Sequence, residues 1–175
     1  MLEKVWNKVA KLIVRTSGNP LFKANDTLVE LLQTLLNEDQ VSFLLNFRKP
    51  NLTFQELKER TQWDETKLME MLNSLMDNGF IMDVPIENTN IMEYRLLSPV
   101  PDIFEYSLVK FNRLIEQKKK VAQIYEKMFT EATELTQNNY KGLQPIFKER
   151  IPIFTRIIPI EKELKGPLEE VLPIH

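Results

Sequence analysis

Apolar residues in the first sixteen positions recur at three- and four-residue steps: Leu2, Val5, Trp6, Val9, Leu12 and Ile13. That spacing puts them on one stripe of a helix, with the lysines opposite. Ser17-Gly18-Asn19-Pro20 ends it, because glycine offers a left-handed C-terminal residue and proline blocks continuation. The pattern predicts an amphipathic helix within residues 1–19, packed on its own domain or on a dimer mate. A membrane-surface role would call for more cations than this helix carries, and Glu3 works against it.

Residues 20–100 alternate short helical periods with turn signals. Thr27 to Leu36 and Asp39 to Phe47 each show a helical apolar face, with Asp26 and Asn37 as caps. Arg48 to Asn51 is expected as a turn. Thr53-Phe54-Gln55-Glu56 has the capping-box form, in which the hydroxyl and the carboxylate each satisfy a backbone donor, so a short helix starts at Phe54. After a turn at Thr61-Gln62-Trp63, Asp64 caps a helix over Glu65 to Asp77 with Leu68, Met71, Leu72, Leu75 and Met76 on one face. Asn78-Gly79 stops it. The period then changes to two: Phe80 to Val84 and Ile91 to Leu97 read as strands around a polar loop. This order predicts a mainly α fold, a winged helix-turn-helix with a small β-hairpin wing.

Over residues 101–140 a helix is expected from its cap Asp102 to about Asn139. Phe104, Leu108, Phe111, Ile115, Lys118, Ala122, Tyr125, Phe129 and Ala132 form a heptad-like seam along it. Unbroken, it would span about 55 Å, more than a small core needs. Packing on its own chain and pairing in a homodimer both remain open. Residues 141–175 hold Pro145, Pro152, Pro159, Pro167 and Pro173, half of the ten prolines, so an extended segment is predicted there.

Composition narrows the chemistry. The 175 residues include no cysteine, and the sole histidine is His175. Thiolate nucleophiles, disulfides, Cys/His metal sites and internal histidine bases are thereby excluded. Glu161 with Glu163 and Glu169 with Glu170 lie on an extended segment where neighbours diverge, and four scattered glycines make no phosphate loop. The chain is therefore read as no enzyme. It shows no secretory signal core and no apolar run of membrane-spanning length, so a cytoplasmic location without membrane contact is expected.

The net charge of −2 offers no general attraction to phosphate polymers. On the second helix of the helix-turn-helix, Asp64, Glu65, Glu70 and Asp77 face Lys67 alone, and on the wing Asp83, Glu87 and Glu93 face Arg95. A duplex reader places cations there. Nucleic acid is disfavoured as a partner, and a protein partner, together with a homodimer, is expected. The candidate interaction residues are Phe104, Leu108, Phe111, Ile115, Tyr125 and Phe129. Trp63 is either a core staple or an exposed anchor.

Several segments together resemble a known family. They are Leu28 to Phe47, Thr53-Phe54-Gln55-Glu56-Leu57, Leu72 to Ile81, Tyr94-Arg95-Leu96, Pro101-Asp102-Ile103-Phe104-Glu105, Arg156-Ile157-Ile158-Pro159-Ile160 and Glu170-Val171-Leu172-Pro173. This set resembles the N-terminal region of prokaryotic ferredoxin-type iron-sulfur proteins. The resemblance implies a winged-helix-like module, then a linker to which Arg156 belongs, then a downstream domain with two four-iron clusters. The cluster-ligating cysteines have no counterpart here, so no cofactor is assigned to this chain and clusters are expected only in a longer protein. The implied role is a docking, dimerisation or regulatory module of an electron-transfer protein; the alternative is a winged-helix transcription regulator.

Overall fold

A computed structural model describes residues 2–18, 21–109, 114–142, 144 and 145. The chain is mainly helical with a small three-stranded antiparallel sheet. Its elements are α1 (Leu2–Ser17), α2 (Asp26–Leu35), α3 (Glu38–Leu44), β1 (Asn51–Thr53), α4 (Phe54–Thr61), α5 (Glu65–Asp77), β2 (Ile81–Pro85) and β3 (Met92–Leu96). An irregular turn at Pro99–Ile103 leads to α6 (Phe104–Val109) and α7 (Ile115–Asn138). Residues 1–134 form one compact unit and residues 135–175 a second. In the second, α7 runs to Asn138, and helical residues also occur at 140–142, 144 and 145. The expected extended segment, apart from 141, 142, 144 and 145, lies outside the described residues, as does Arg156. Those four residues are helical rather than extended.

Local chemistry fixes most boundaries. Thr53 and Glu56 form the expected capping box, with the Thr53 N–H donating to Glu56 Oε2 at 2.9 Å and the Glu56 N–H donating to Thr53 Oγ1 at 3.2 Å. Asn37 and Gln40 make a second box at the start of α3. Asp64 accepts from the Lys67 N–H at 2.9 Å and opens α5. The cap of α2 is Asn25 instead of Asp26: its Oδ1 accepts from the Leu28 N–H at 3.1 Å, and Asp26 becomes the first helical residue. At the end of α5 the Phe80 N–H donates to Leu75 O and the Gly79 N–H to Met76 O, a Schellman closure with Gly79 at φ +73°. Gly79 also lies so close to α6 that a Cβ there would collide with the Tyr106 side chain.

The sheet has the order β1-β3-β2, with Leu52 opposite Tyr94 and Asp83 opposite Tyr94 on the other side. β1 corrects the expectation of a simple turn before Thr53. Three residues are too few for alternation to stand out, and only pairing with β3 reveals the strand. The core gathers Val9 and Ile13 of α1, Leu28, Leu31 and Leu32 of α2, and Phe47, Leu57, Leu72 and Phe80, all fully buried. Gln40 is buried too; it ties α3 to α5 by donating to Ser74 Oγ at 2.8 Å.

The single long helix expected from Asp102 to Asn139 is two helices. α6 ends at Val109, Leu114 is not helical, and α7 starts at Ile115. The chain has turned back on itself: Phe104 and Tyr125, which a straight helix would hold about 30 Å apart, have ring centroids 4.8 Å apart. Asp102 does not cap a long helix. Its carboxylate accepts from the N–H and hydroxyl of Ser98 at 2.9 and 2.7 Å and holds the preceding turn. α7 is tied to the start of α2 by Glu131, whose two oxygens each accept at 2.6 Å, from Asn25 and from Thr27.

Candidate functional site

β3 carries its apolar face from the core to the surface. Leu96 and Tyr94 are buried, while Met92, two residues further along the same face, is 36% exposed. The opposite face is polar: Asn51 donates to Glu93 Oε2 at 3.0 Å and accepts from Arg95 Nε at 3.2 Å, holding both charges away from the helices. Alongside Met92, α5 contributes Met69 and α4 its first residue, Phe54, and the approach to β3 adds Ile91, which is 51% exposed. These four side chains line a groove of about 850 Å³ between the start of α5 and β3. That volume falls within the roughly 300–1,000 Å³ typical of ligand sites.

Two carboxylates, Glu65 and Glu70, stand on this groove, and no lysine or arginine lines it. Lys67 is turned away: its ammonium sits 4.3 Å from the centre of the Trp63 ring, over a separate hollow of about 390 Å³. Lys58 reaches Glu65 at 2.6 Å, Lys49 reaches Glu56 at 2.6 Å, and Arg60 donates to the Asn46 carbonyl at 2.6 Å. Lys49, Lys58, Arg60 and Lys67 are thus engaged locally. Burial pushes the Tyr94 phenol above its ordinary 10.0, and the facing Asp83 carboxylate adds to the shift. The phenol therefore stays neutral, adding no charge to the groove at ordinary pH.

The expected interaction residues separate. Phe104 of α6 lies edge-on to Tyr125 and to Phe129, at 4.8 and 5.6 Å, and Phe22 meets Phe129 at 6.2 Å. Tyr125 is 1% exposed and its hydroxyl donates to the Pro99 carbonyl at 3.2 Å. Leu108 is half-buried beside them, and a shallow hollow of about 600 Å³ remains over Leu108, Ala122 and Phe129. Ile115 does not join the seam; it is 73% exposed. The buried stripe of α7 is Val121, Ile124, Tyr125, Met128 and Ala132; it keeps Tyr125 and Ala132 of the expected seam and adds Val121, Ile124 and Met128. Phe111 and Arg156 lie outside the described residues. Trp63 is half-buried, tilted against Phe43 at 5.5 Å, and its other side lines the hollow under Lys67.

Sequence reasoning missed Met69, Ile91, Met92 and Phe54 as a set. The available signal was period two along β3, which puts Met92 on the face of Tyr94 and Leu96; the convergence with Met69 depends on how α5 crosses the sheet. Among the described residues no group of three or more acidic or imidazole side chains could hold a metal ion, and no helix is long and apolar enough to cross a membrane. No family model, curated protein or solved structure matches this chain.

Proposed function

We propose that the chain is a non-catalytic docking module on a winged-helix frame, recognising protein instead of duplex nucleic acid. The frame is supported by element order: α3, β1, α4, a turn, α5 and the β2–β3 hairpin follow one another as in a helix-turn-helix extended by a wing, with β1 completing the sheet. The observation that carries the docking reading is the groove beside α5. Where a duplex reader needs cations facing phosphate, this face has methionine, isoleucine and two carboxylates. An apolar floor with a charged rim is the anatomy of a protein interface.

In this reading the module is the front part of a ferredoxin-type iron-sulfur protein and positions it against a partner. A cluster does not fit the residues present, since thiolate ligands are lacking; any cluster belongs to another part of such a protein. The test is fluorescence anisotropy with a labelled 20-base-pair duplex at low salt. No binding is expected. Affinity at low salt that falls steeply as salt rises would overturn the docking reading in favour of a transcription regulator.

A further inference from the structure

We infer that the groove between α5 and β3 takes a basic segment of a partner protein, with an aliphatic or aromatic side chain seated on the methionines and a lysine or arginine beside it on Glu70. This rests on the docking reading above and adds the chemistry of the ligand. Three observations carry it.

The first is the exposure of large apolar groups in one place. Met69, Ile91 and Met92 are 39%, 51% and 36% exposed and line the same groove, with half-buried Phe54. Isolated exposed apolar residues are ordinary, but a converging set marks an interaction surface. Methionine suits such a surface because its unbranched, polarisable chain adapts to varied partners.

The second is sign. The charged groups lining the groove are both carboxylates. Glu65 is bridged by Lys58, whereas Glu70 is exposed and forms no ion pair with a lysine or arginine among the described residues. Lys67, the cation nearest in sequence, is held over Trp63. An incoming cation therefore meets one locally compensated carboxylate and one available one. An acidic or phosphorylated segment meets repulsion from both.

The third is the polar rim. Gln55, Thr66, Asn73 and Asn90 border the groove. Their side chains both donate and accept, so they can satisfy the main chain of a peptide laid along it. A second copy of this chain is a poorer occupant, because the exposed faces of α5 and the β2–β3 hairpin are acidic in both copies and would repel.

The test uses the full chain and three fluorescein-labelled twelve-residue peptides. The first repeats Leu-Lys-Ser, the second Leu-Glu-Ser and the third Ser-Lys-Ser. Anisotropy is expected to rise with the first peptide only. Glu70→Lys together with Glu65→Lys should weaken it by roughly tenfold or more, since like charges then face each other. Met69→Ser, at a surface position, should weaken it while leaving the thermal midpoint in place. Equal binding of the acidic peptide, binding by Ser-Lys-Ser alone, or indifference to both variants would overturn the inference. Sedimentation velocity on the free chain supplies a further check: self-association abolished by Met69→Ser would give the groove to a second copy and also overturn it. Failure of all peptides without duplex binding would sink this inference and leave the docking reading standing. Duplex binding would remove both.

Discussion

The groove beside α5 and the seam between α6 and α7 are built from similar residues, and they differ in what covers them. In the seam Phe104 packs edge-on against Tyr125 and Phe129, so the chain supplies much of its own cover and leaves only a shallow hollow over Phe129. In the groove Met69, Ile91 and Met92 line open space beside two carboxylates. Helix connection explains the seam. Only five residues separate the end of α6 from the start of α7, and closing so short a connection costs little entropy. The second helix is thus present at an effective concentration that a separate copy reaches only in the millimolar range. Among the described residues the groove has no such tethered helix, and its carboxylates keep it from being a satisfactory core.

The comparison breaks most easily at Tyr125. Replacing it with alanine removes a side chain that is 1% exposed, two ring contacts and the hydrogen bond to Pro99. The expected loss is about 3–5 kcal/mol in urea unfolding. Met69→Ser, measured alongside, should cost less than about 0.5 kcal/mol, as for an exposed position. Similar costs for the two would mean that groove and seam are both parts of the core.

Gly79 sharpens the contrast because it lies between the regions, at the end of α5 and against Tyr106 of α6. Gly79→Ala combines a left-handed backbone with a steric clash, together about 2–4 kcal/mol. If Gly79→Ala costs less in a Tyr106→Gly background, which removes the colliding Cβ, the clash contributes; if it costs the same there, the backbone conformation accounts for all of it. A smaller step is Thr53→Ala at the edge of the groove. It removes one half of the capping box and should cost about 1 kcal/mol, read by the urea midpoint, with the seam unaffected in near-ultraviolet circular dichroism.

The sequence made helix boundaries legible where a single side chain offers itself as the cap, and misplaced the cap of α2 by one residue because Asn25 and Asp26 both suit the role. Thr53 with Glu56, Asp64 before α5 and Asn78-Gly79 after it all satisfy backbone groups within one turn, so no tertiary information is needed. The seam was legible as a set of apolar positions but not as a shape, because seven-residue spacing is the same in one long helix and in two helices folded together. Phe104 to Leu108 and Tyr125 to Phe129 keep their helical spacing in either case. β1 escaped because three residues acquire strand character only from β3. The groove escaped for a related reason: Met69 and Met92 are twenty-three positions apart, and each alone looks like an ordinary surface methionine.

The smallest effect concerns Glu56, which shares the groove-side capping box with Thr53. The Lys49 ammonium, hydrogen-bonded to it at 2.6 Å, and the Thr53 N–H hold its carboxyl below the ordinary 4.5. A carboxyl depressed in the folded state binds its proton more readily when unfolded. Its contribution is therefore complete above pH 4.5 and is lost as pH falls through the lower folded value. Glu56→Gln keeps the acceptor that the box needs but not the charge. The stability gap between the natural chain and Glu56→Gln should therefore be small at pH 7, since Lys49 is half exposed, and should close as pH falls below 4.5 and through the lower folded value. Added salt should narrow it at pH 7. A gap independent of both pH and salt would show that the hydrogen-bonding geometry of the box, and not its charge, holds the start of α4.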